Sequence, residues 1–279
     1  MITRDIWYRH PEVMYNIINS VKDRETAFLG KAEQKVPPIR NVFANYTQFL
    51  TRNFAKFDFY NRKYNLYYSL AKYNNIRVFS FAPPIRKEQS KKWNQEFLQD
   101  MMSIDLGLDF DAPNLEQWEK AYTDCKLVKK HLDEYGVPYS IKWSGGKGFH
   151  ITIPYHALPD HLVLEDDREN QNAVSLFNKS FGEILSLMMG ARQEKDNLET
   201  LDMGVFDYRR VWKCDYSYVC ETGLIALPLS DEQFEKFNLD MVKPENVLKM
   251  GIRNRFDLMR KGGKENFKEY CNKVLCIDL

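Results

Sequence analysis

The sequence predicts an α/β fold of the α+β kind, a mostly antiparallel sheet flanked by helices with a helical part at the N-terminus. Three stretches carry that expectation. Residues 102–111, MSIDLGLDFD, alternate apolar and polar with the period of a strand; residues 114–135 repeat apolar side chains at helical spacing; residues 137–153 alternate into a glycine-rich turn and out again as a hairpin.

Taken in order, the first 60 residues read as mainly helical. IRNVFANYTQFLTRNFAKF (39–57) spaces its apolar residues for a helix after Pro37 and Pro38. YNLYYSLAKY (64–73) and NIRVFSFA (75–82) are short aromatic and β-branched runs that suit strands. In 102–111, Met102, Ile104, Leu106, Leu108 and Phe110 share one parity and Asp105, Gly107, Asp109 and Asp111 the other, predicting one strand with a core face and an acidic face.

A helix follows from Asn114 as N-cap, with Gln117 at the capping-box position. Leu115, Trp118, Tyr122, Cys125, Val128, Leu132 and Tyr135 form its buried stripe, and Gly136 and Pro138 end it. Val137, Tyr139, Ile141 and Trp143 then lead into the hairpin turn, and Phe149, Ile151 and Ile153 lead out. NAVSLFNKSFGEILSLMMG (172–190) predicts a second helix burying Ala173, Val174, Phe177, Phe181, Ile184, Leu185 and Met188; LDMGVFD (201–207) and TGLIALPL (222–229) predict further strands.

No linker of Gly/Ser or Pro divides the 279 residues, so a single domain is expected, with a helical part over about 1–60, a core over 60–240 and a helical basic segment over 241–279. Forty Lys and Arg against 39 Asp and Glu leave a net charge of +1, so any polyanion site is a local patch. The cysteines, at 125, 214, 220, 271 and 276, form no CxxC pair and meet no His cluster; reduced thiols and no structural zinc are expected. No run approaches the roughly 18 apolar residues of a membrane span, so the expected protein is intracellular and soluble, with no membrane partner.

Three clusters could carry chemistry. Asp109 and Asp111, two apart on a strand, project from one side, and their repulsion is relieved by a divalent cation. An Asp-x-Asp on a solvated sheet face is the alternative. SGGKGFH lacks the GxxxxGK[ST] spacing and precedes a strand, so it is no Walker loop; yet Gly145, Gly146 and Gly148 let backbone N–H groups approach an anion, Lys147 adds charge, and Ser144 and His150 can donate to phosphate oxygens. An ordinary glycine-rich hairpin turn is the alternative there. In DYRRVWK, Asp207 is followed by Arg210 and Lys213, either a surface ion-pair network or a third metal carboxylate beside cations for a triphosphate.

Near the C-terminus, residues 253–273 carry seven Lys or Arg against three acids, with aromatics between them. Arg253, Arg255, Arg260, Lys261 and Lys264 are candidates to track a nucleic-acid backbone; a solvated amphipathic helix is the alternative.

In order and separation, LDFD, SGGKGFH and DYRRVWK resemble the motifs of the catalytic small subunit of the archaeo-eukaryotic primase superfamily. LYYSLAKY (66–73) and SYVCETGLIALPLS (217–230) are weaker echoes, and the resemblance spans roughly residues 60–240. It implies a primase-type fold with an RRM-like catalytic sheet. It also implies that Asp109, Asp111 and Asp207 bind two divalent ions, Mg²⁺ or Mn²⁺, and that Ser144, His150, Arg210 and Lys213 hold the triphosphate.

The activity implied is that of a DNA primase, template-directed nucleotidyl transfer making short primers on single-stranded DNA from NTPs or dNTPs, with a large subunit or a replicative helicase as partner. A primase-polymerase or a gap-filling or end-joining repair polymerase of the same superfamily is the alternative reading, and a catalytically silent nucleotide- or DNA-binding subunit a second. Two departures bear on this: the family's Cys/His zinc knob has no counterpart, and Glu221 stands where the family often has Lys before Thr-Gly-Leu.

Overall fold

The computed structural model describes residues 2–30, 36–42, 46–74, 100–158, 198–202 and 210–275. The expected strand at 75–82, the expected helix at 172–190, most of the expected strand at 201–207, and Cys276 lie outside them.

Two antiparallel sheets face each other. The first has the order β2 (Ile39–Val42), β1 (Arg24–Leu29), β3 (Asn65–Tyr73), β4 (Met101–Ile104), with β8 (Val211–Lys213) also paired to β3. The second has the order β5 (Leu106–Asp111), β7 (Gly148–Ile153), β6 (Ser140–Trp143), β9 (Pro228–Leu229). Helices α1 (Arg4–Arg9), α2 (Pro11–Val21) and α3 (Thr47–Lys56) come from the N-terminal part, and α4 (Trp118–Glu134) packs on β5 and β7. Among the described residues no helix is long and apolar enough to cross a membrane.

Strand parity sorts the second sheet. Leu106, Leu108, Phe110, Ile141, Trp143, Phe149, Ile151 and Ile153 are all buried, on the α4 side, against Ala121, Cys125, Val128 and Leu132. Asn114 caps this helical stretch as expected, its side-chain oxygen accepting the Gln117 N–H at 3.0 Å, and Gly136 ends it at φ +63°. The opposite face carries Gly107, Asp109, Asp111, Lys142 and His150 toward the first sheet. Gly107 is obligatory there: a Cβ would sit 2.3 Å from the Trp212 ring.

Three elements differ from expectation. Residues 39–57 are not one helix: Ile39 and Val42 pair with Phe28 and Thr26 as β2, and the helix begins at Thr47. The pairing of β2 on the edge of β1 is a non-local interaction, and it overrides a helical spacing that is fulfilled from Leu50 onward. The N-terminal part thus supplies two strands as well as three helices.

Residues 102–111 are not one strand either. The chain breaks at Asp105, where β4 leaves the first sheet and β5 enters the second. Asp105 is buried; it accepts from Arg24 at 2.5 Å and from the Tyr155 N–H at 3.1 Å, so it belongs to the interior and not to an acidic face. Met102, expected in the core, is 50% exposed.

In 222–229 the regular strand is confined to Pro228–Leu229, with Ile225 bridged to Tyr218. Leu227 still exchanges both backbone hydrogen bonds with Trp143, which extends the edge of the second sheet. The described part of the C-terminal segment forms three short α-helices, Pro244–Met250, Arg255–Leu258 and Lys264–Tyr270, followed by a π-helical turn, Cys271–Leu275; Phe267 is buried and Phe256 is 44% exposed.

Candidate active site

The site lies between the sheets. The antiparallel register of β5 and β7 sets Asp109 opposite His150 and Asp111 opposite Gly148, so the two aspartates and the histidine share the inner face. His150 Nε2 is 3.3 Å from Asp109 Oδ1, and Lys147 Nζ is 3.3 Å from Asp111 Oδ2.

The turn between β6 and β7 is closed by its own backbone, the Ser144 N–H donating to Gly148 O at 2.9 Å and the Gly146 N–H to Ser144 Oγ at 3.3 Å. Each glycine has its own reason. Gly145 has φ +79°, which side chains avoid. At Gly148 a Cβ would be 1.7 Å from the Phe110 carbonyl, so the close approach of β7 to β5 depends on the missing side chain. A Cβ at Gly146 would be 2.8 Å from Lys213 Nζ, so the turn leaves room for that ammonium group.

From the first sheet come Arg40 on β2, Tyr67 on β3, and Trp212 and Lys213 on β8. With Asp109, Asp111, Ser144, His150 and Arg210 they line a pocket of about 420 Å³, within the size range of small-ligand sites. Tyr67 pairs with Lys213 across β3 and β8. Trp212, wedged over Gly107, lays its ring 4.3 Å from the His150 ring and braces it. Arg40 is oriented by the fully buried Glu25 in a two-point contact, Nε to Oε1 at 2.6 Å and Nη2 to Oε2 at 3.0 Å.

The charges are uneven. Burial raises the Asp109 carboxyl, but His150, Lys213 and Arg210 outweigh it and hold the group below the usual carboxylate range. Asp111 is raised, by burial and by the charge of Asp109, against the opposing pull of Lys147. Burial also lowers His150, with Lys142 and Lys213 adding to it, against the opposing pull of Asp109. Lys213 is lowered by burial, opposed by Asp111, Asp109 and Glu221.

Asp109 Oδ1 is a buried oxygen that accepts no hydrogen bond, since the nearby His150 nitrogen is poorly aligned to donate. With Asp111 on the same face, this donor set suits a hard cation that takes one or two carboxylates and completes its shell with water and phosphate. Among the described residues no group of three or more His, Cys, Asp or Glu side chains is placed to hold a metal ion, so the shell would depend on ligands from outside the chain.

A further carboxylate, one that sequence reasoning missed, lies on the other edge of β5. Leu201 bridges Phe110 in antiparallel fashion, the Asp111 N–H donates to Thr200 O at 2.7 Å, and the Asp202 N–H donates to Asp109 O at 2.8 Å. Directly opposed residues of an antiparallel pair share a face, so this register sets Asp202 on the face of Asp109. Asp124 on α4 anchors the segment by accepting from both the N–H and the hydroxyl of Thr200, at 2.9 and 2.7 Å. Arg210 Nη2 is 3.7 Å from Asp202 Oδ2. Asp207 lies outside the described residues.

Of the residues singled out in the sequence, Asp109, Asp111, Ser144, His150, Arg210 and Lys213 line the pocket, while Gly145, Gly146, Lys147 and Gly148 complete the turn that carries Ser144. Glu221 is exposed, and its carboxylate accepts from Asn65 at 2.8 Å. Two of the five C-terminal basic candidates, Arg255 and Arg260, are engaged within the body. Arg255 is buried against Asp215, Asp105 and Tyr68, and Arg260 is engaged by Asp133, because both anchor the segment to the body; Arg253 and Lys261 are exposed, and Lys264 is half-buried.

No family model matches the chain, and no curated protein matches it in sequence. Its fold is similar to that of the polymerase domain of Mycobacterium tuberculosis ligase D in complex with DNA, with a TM-score of 0.55 at 12% identity, over 89% of this chain and 88% of that one. The likeness is one of fold: helices flanking antiparallel sheet.

Proposed function

We propose that the chain is a template-directed nucleotidyltransferase that extends a 3′-hydroxyl on DNA, in the manner of the polymerase branch of the primase-polymerase superfamily. The observation that carries this reading is the register that sets Asp109 beside His150 on one side and Asp202 on the other, under the cations Lys213 and Arg210. The fold of a polymerase domain seen with DNA supports it.

Asp109, Asp111 and Asp202 would hold the divalent ions, Mg²⁺ or Mn²⁺, and Asp207 is the third carboxylate that the motif resemblance implies. When bound, such ions supply positive charge to the attacking and leaving oxygens of an in-line displacement. The remaining work falls to the chain. Lys213, Arg210 and Lys147 neutralise a polyphosphate; Ser144 and His150 donate hydrogen bonds to it; Trp212 keeps His150 from turning away. Arg40, held by Glu25, adds a fixed cation on the opposite wall. Glu221, tied to Asn65, leaves the turn to these cations.

The test is a gel assay with labelled nucleotides, Mg²⁺ or Mn²⁺, and either a primed or an unprimed single-stranded template. Extension of the primed template, abolished in Asp109→Ala with Asp111→Ala, is expected; a double variant as active as wild type overturns the assignment. Primase activity is the second reading, favoured by the order of the three motifs. Products from an unprimed template would establish it, alone or with a large subunit supplied.

A further inference from the structure

Beneath the pocket, the two sheets are joined by a buried row of charges: Arg24, Asp105, Arg255, Asp215 and Lys142. Arg24 Nη2 is 2.5 Å from Asp105 Oδ2, Arg255 lies 3.7 Å from Asp105 and 3.5 Å from Asp215, and Lys142 Nζ is 3.0 Å from Asp215 Oδ1. Three cations thus meet two carboxylates in the interior. Apolar residues of similar volume often serve stability as well as a buried ion pair does, so stability alone does not account for the arrangement.

Lys142 is the member that touches the site. It stands on β6 of the second sheet, opposite His150, and is 5% exposed. Its ammonium group has three acceptors, the Lys213 backbone carbonyl at 2.6 Å, Asp215 Oδ1 at 3.0 Å and the Tyr68 hydroxyl at 3.3 Å. Each of its three protons is therefore directed. Burial works against its charge, but Asp215 and Tyr68 outweigh burial and keep it protonated. Asp215 is itself fixed by Ser20, whose hydroxyl donates at 2.8 Å.

The Lys213 carbonyl belongs to β8, a strand of three residues in the first sheet, and the Lys213 side chain reaches across to Gly146 in the turn of the second. From this we infer that Lys142 and Asp215 are a positioning pair, a cross-sheet rivet that sets β8, and with it the Lys213 ammonium group, at a fixed distance from the Ser144–Gly148 turn. The inference deepens the proposed function, because a correctly placed Lys213 favours a ligand with several phosphates over one with a single phosphate.

The test uses the full chain with Lys142→Met, which keeps length and removes the donors, and Lys142→Arg, which restores a charged donor. Hydrogen exchange at the amides of residues 211–213 is followed together with Mn²⁺-dependent binding of a nucleoside triphosphate and the corresponding monophosphate. Lys142→Met is expected to speed exchange at β8 and to weaken triphosphate binding on the order of tenfold or more, to change monophosphate binding far less, and to raise KM more than it lowers kcat. Lys142→Arg should recover most of the affinity.

Unchanged exchange and unchanged triphosphate affinity in folded Lys142→Met would overturn the inference. Faster exchange at β8 in a protein whose wild type binds no nucleotide would keep the rivet and remove the functional reading. If Lys142→Met does not fold, Asp215→Asn, which keeps the shape and removes the charge, is put through the same measurements with the same expectations.

Discussion

The backbone N–H of Asp202 donates to the carbonyl of Asp109 at 2.8 Å, so the two aspartates stand side by side across the bridge between β5 and Leu201 although 93 positions separate them. Asp202→Ala is expected to lose primer extension by roughly 100-fold or more, as metal-site variants do, and to weaken Mn²⁺ binding measured by electron paramagnetic resonance. Asp207→Ala should retain most of both. The opposite ranking would transfer the third carboxylate to Asp207.

The glycine turn separates folding from binding. Gly148→Ala places a methyl group against the Phe110 carbonyl and should destabilise the chain by about 1–3 kcal/mol, read from the urea midpoint. Gly146→Ala meets the flexible end of Lys213 instead. Its thermal midpoint should hold while triphosphate affinity falls; equal loss of stability in the two variants would contradict the packing described.

Acid should attack the buried charges. Burial raises Asp105 and Asp215, but Arg24 with Arg255, and Lys142 with Arg255, outweigh it and depress both folded-state carboxyls. A depressed folded value means that the unfolded chain binds protons first, near an ordinary Asp value of about 3.9. Their contribution is thus complete above that pH and lost as pH falls toward the folded values. Denaturation followed from pH 7 down to 2 should show stability dropping below about pH 4, with a shallower drop in Asp215→Asn.

Arg255 should behave as an interior residue. Arg255→Ala removes a contact from Asp215, Asp105 and Tyr68, although Arg24 and Lys142 still pair the two carboxylates, and should cost about 1–3 kcal/mol, while the salt dependence of DNA binding by the folded protein stays the same. A reduced salt slope would instead make Arg255 a phosphate contact.

What could be read from the sequence was local. The hairpin of residues 140–153 and the inner placement of Asp109 and Asp111 follow from strand parity, because one face of that sheet is buried under α4 and alternation is enforced residue by residue. The break at Asp105 depends on Arg24, 81 positions away, and no window around 102–111 contains it. Arg40 fell within a stretch of helical spacing, and its role depends on Glu25 across a strand pair. Asp202 became a candidate through pairing with β5, and Arg255 left the surface through partners on three distant strands or loops. In each case the deciding interaction joins residues that are far apart along the chain.

The passage from β4 to β5 through a single residue has a mechanical consequence. The walls of the pocket are continuous with one unbroken length of backbone, pinned at Asp105 by Arg24. They behave as two jaws on a common pivot with no slack in it. At that end the separation of the two jaws is set by the contact between Asp105 and Arg24.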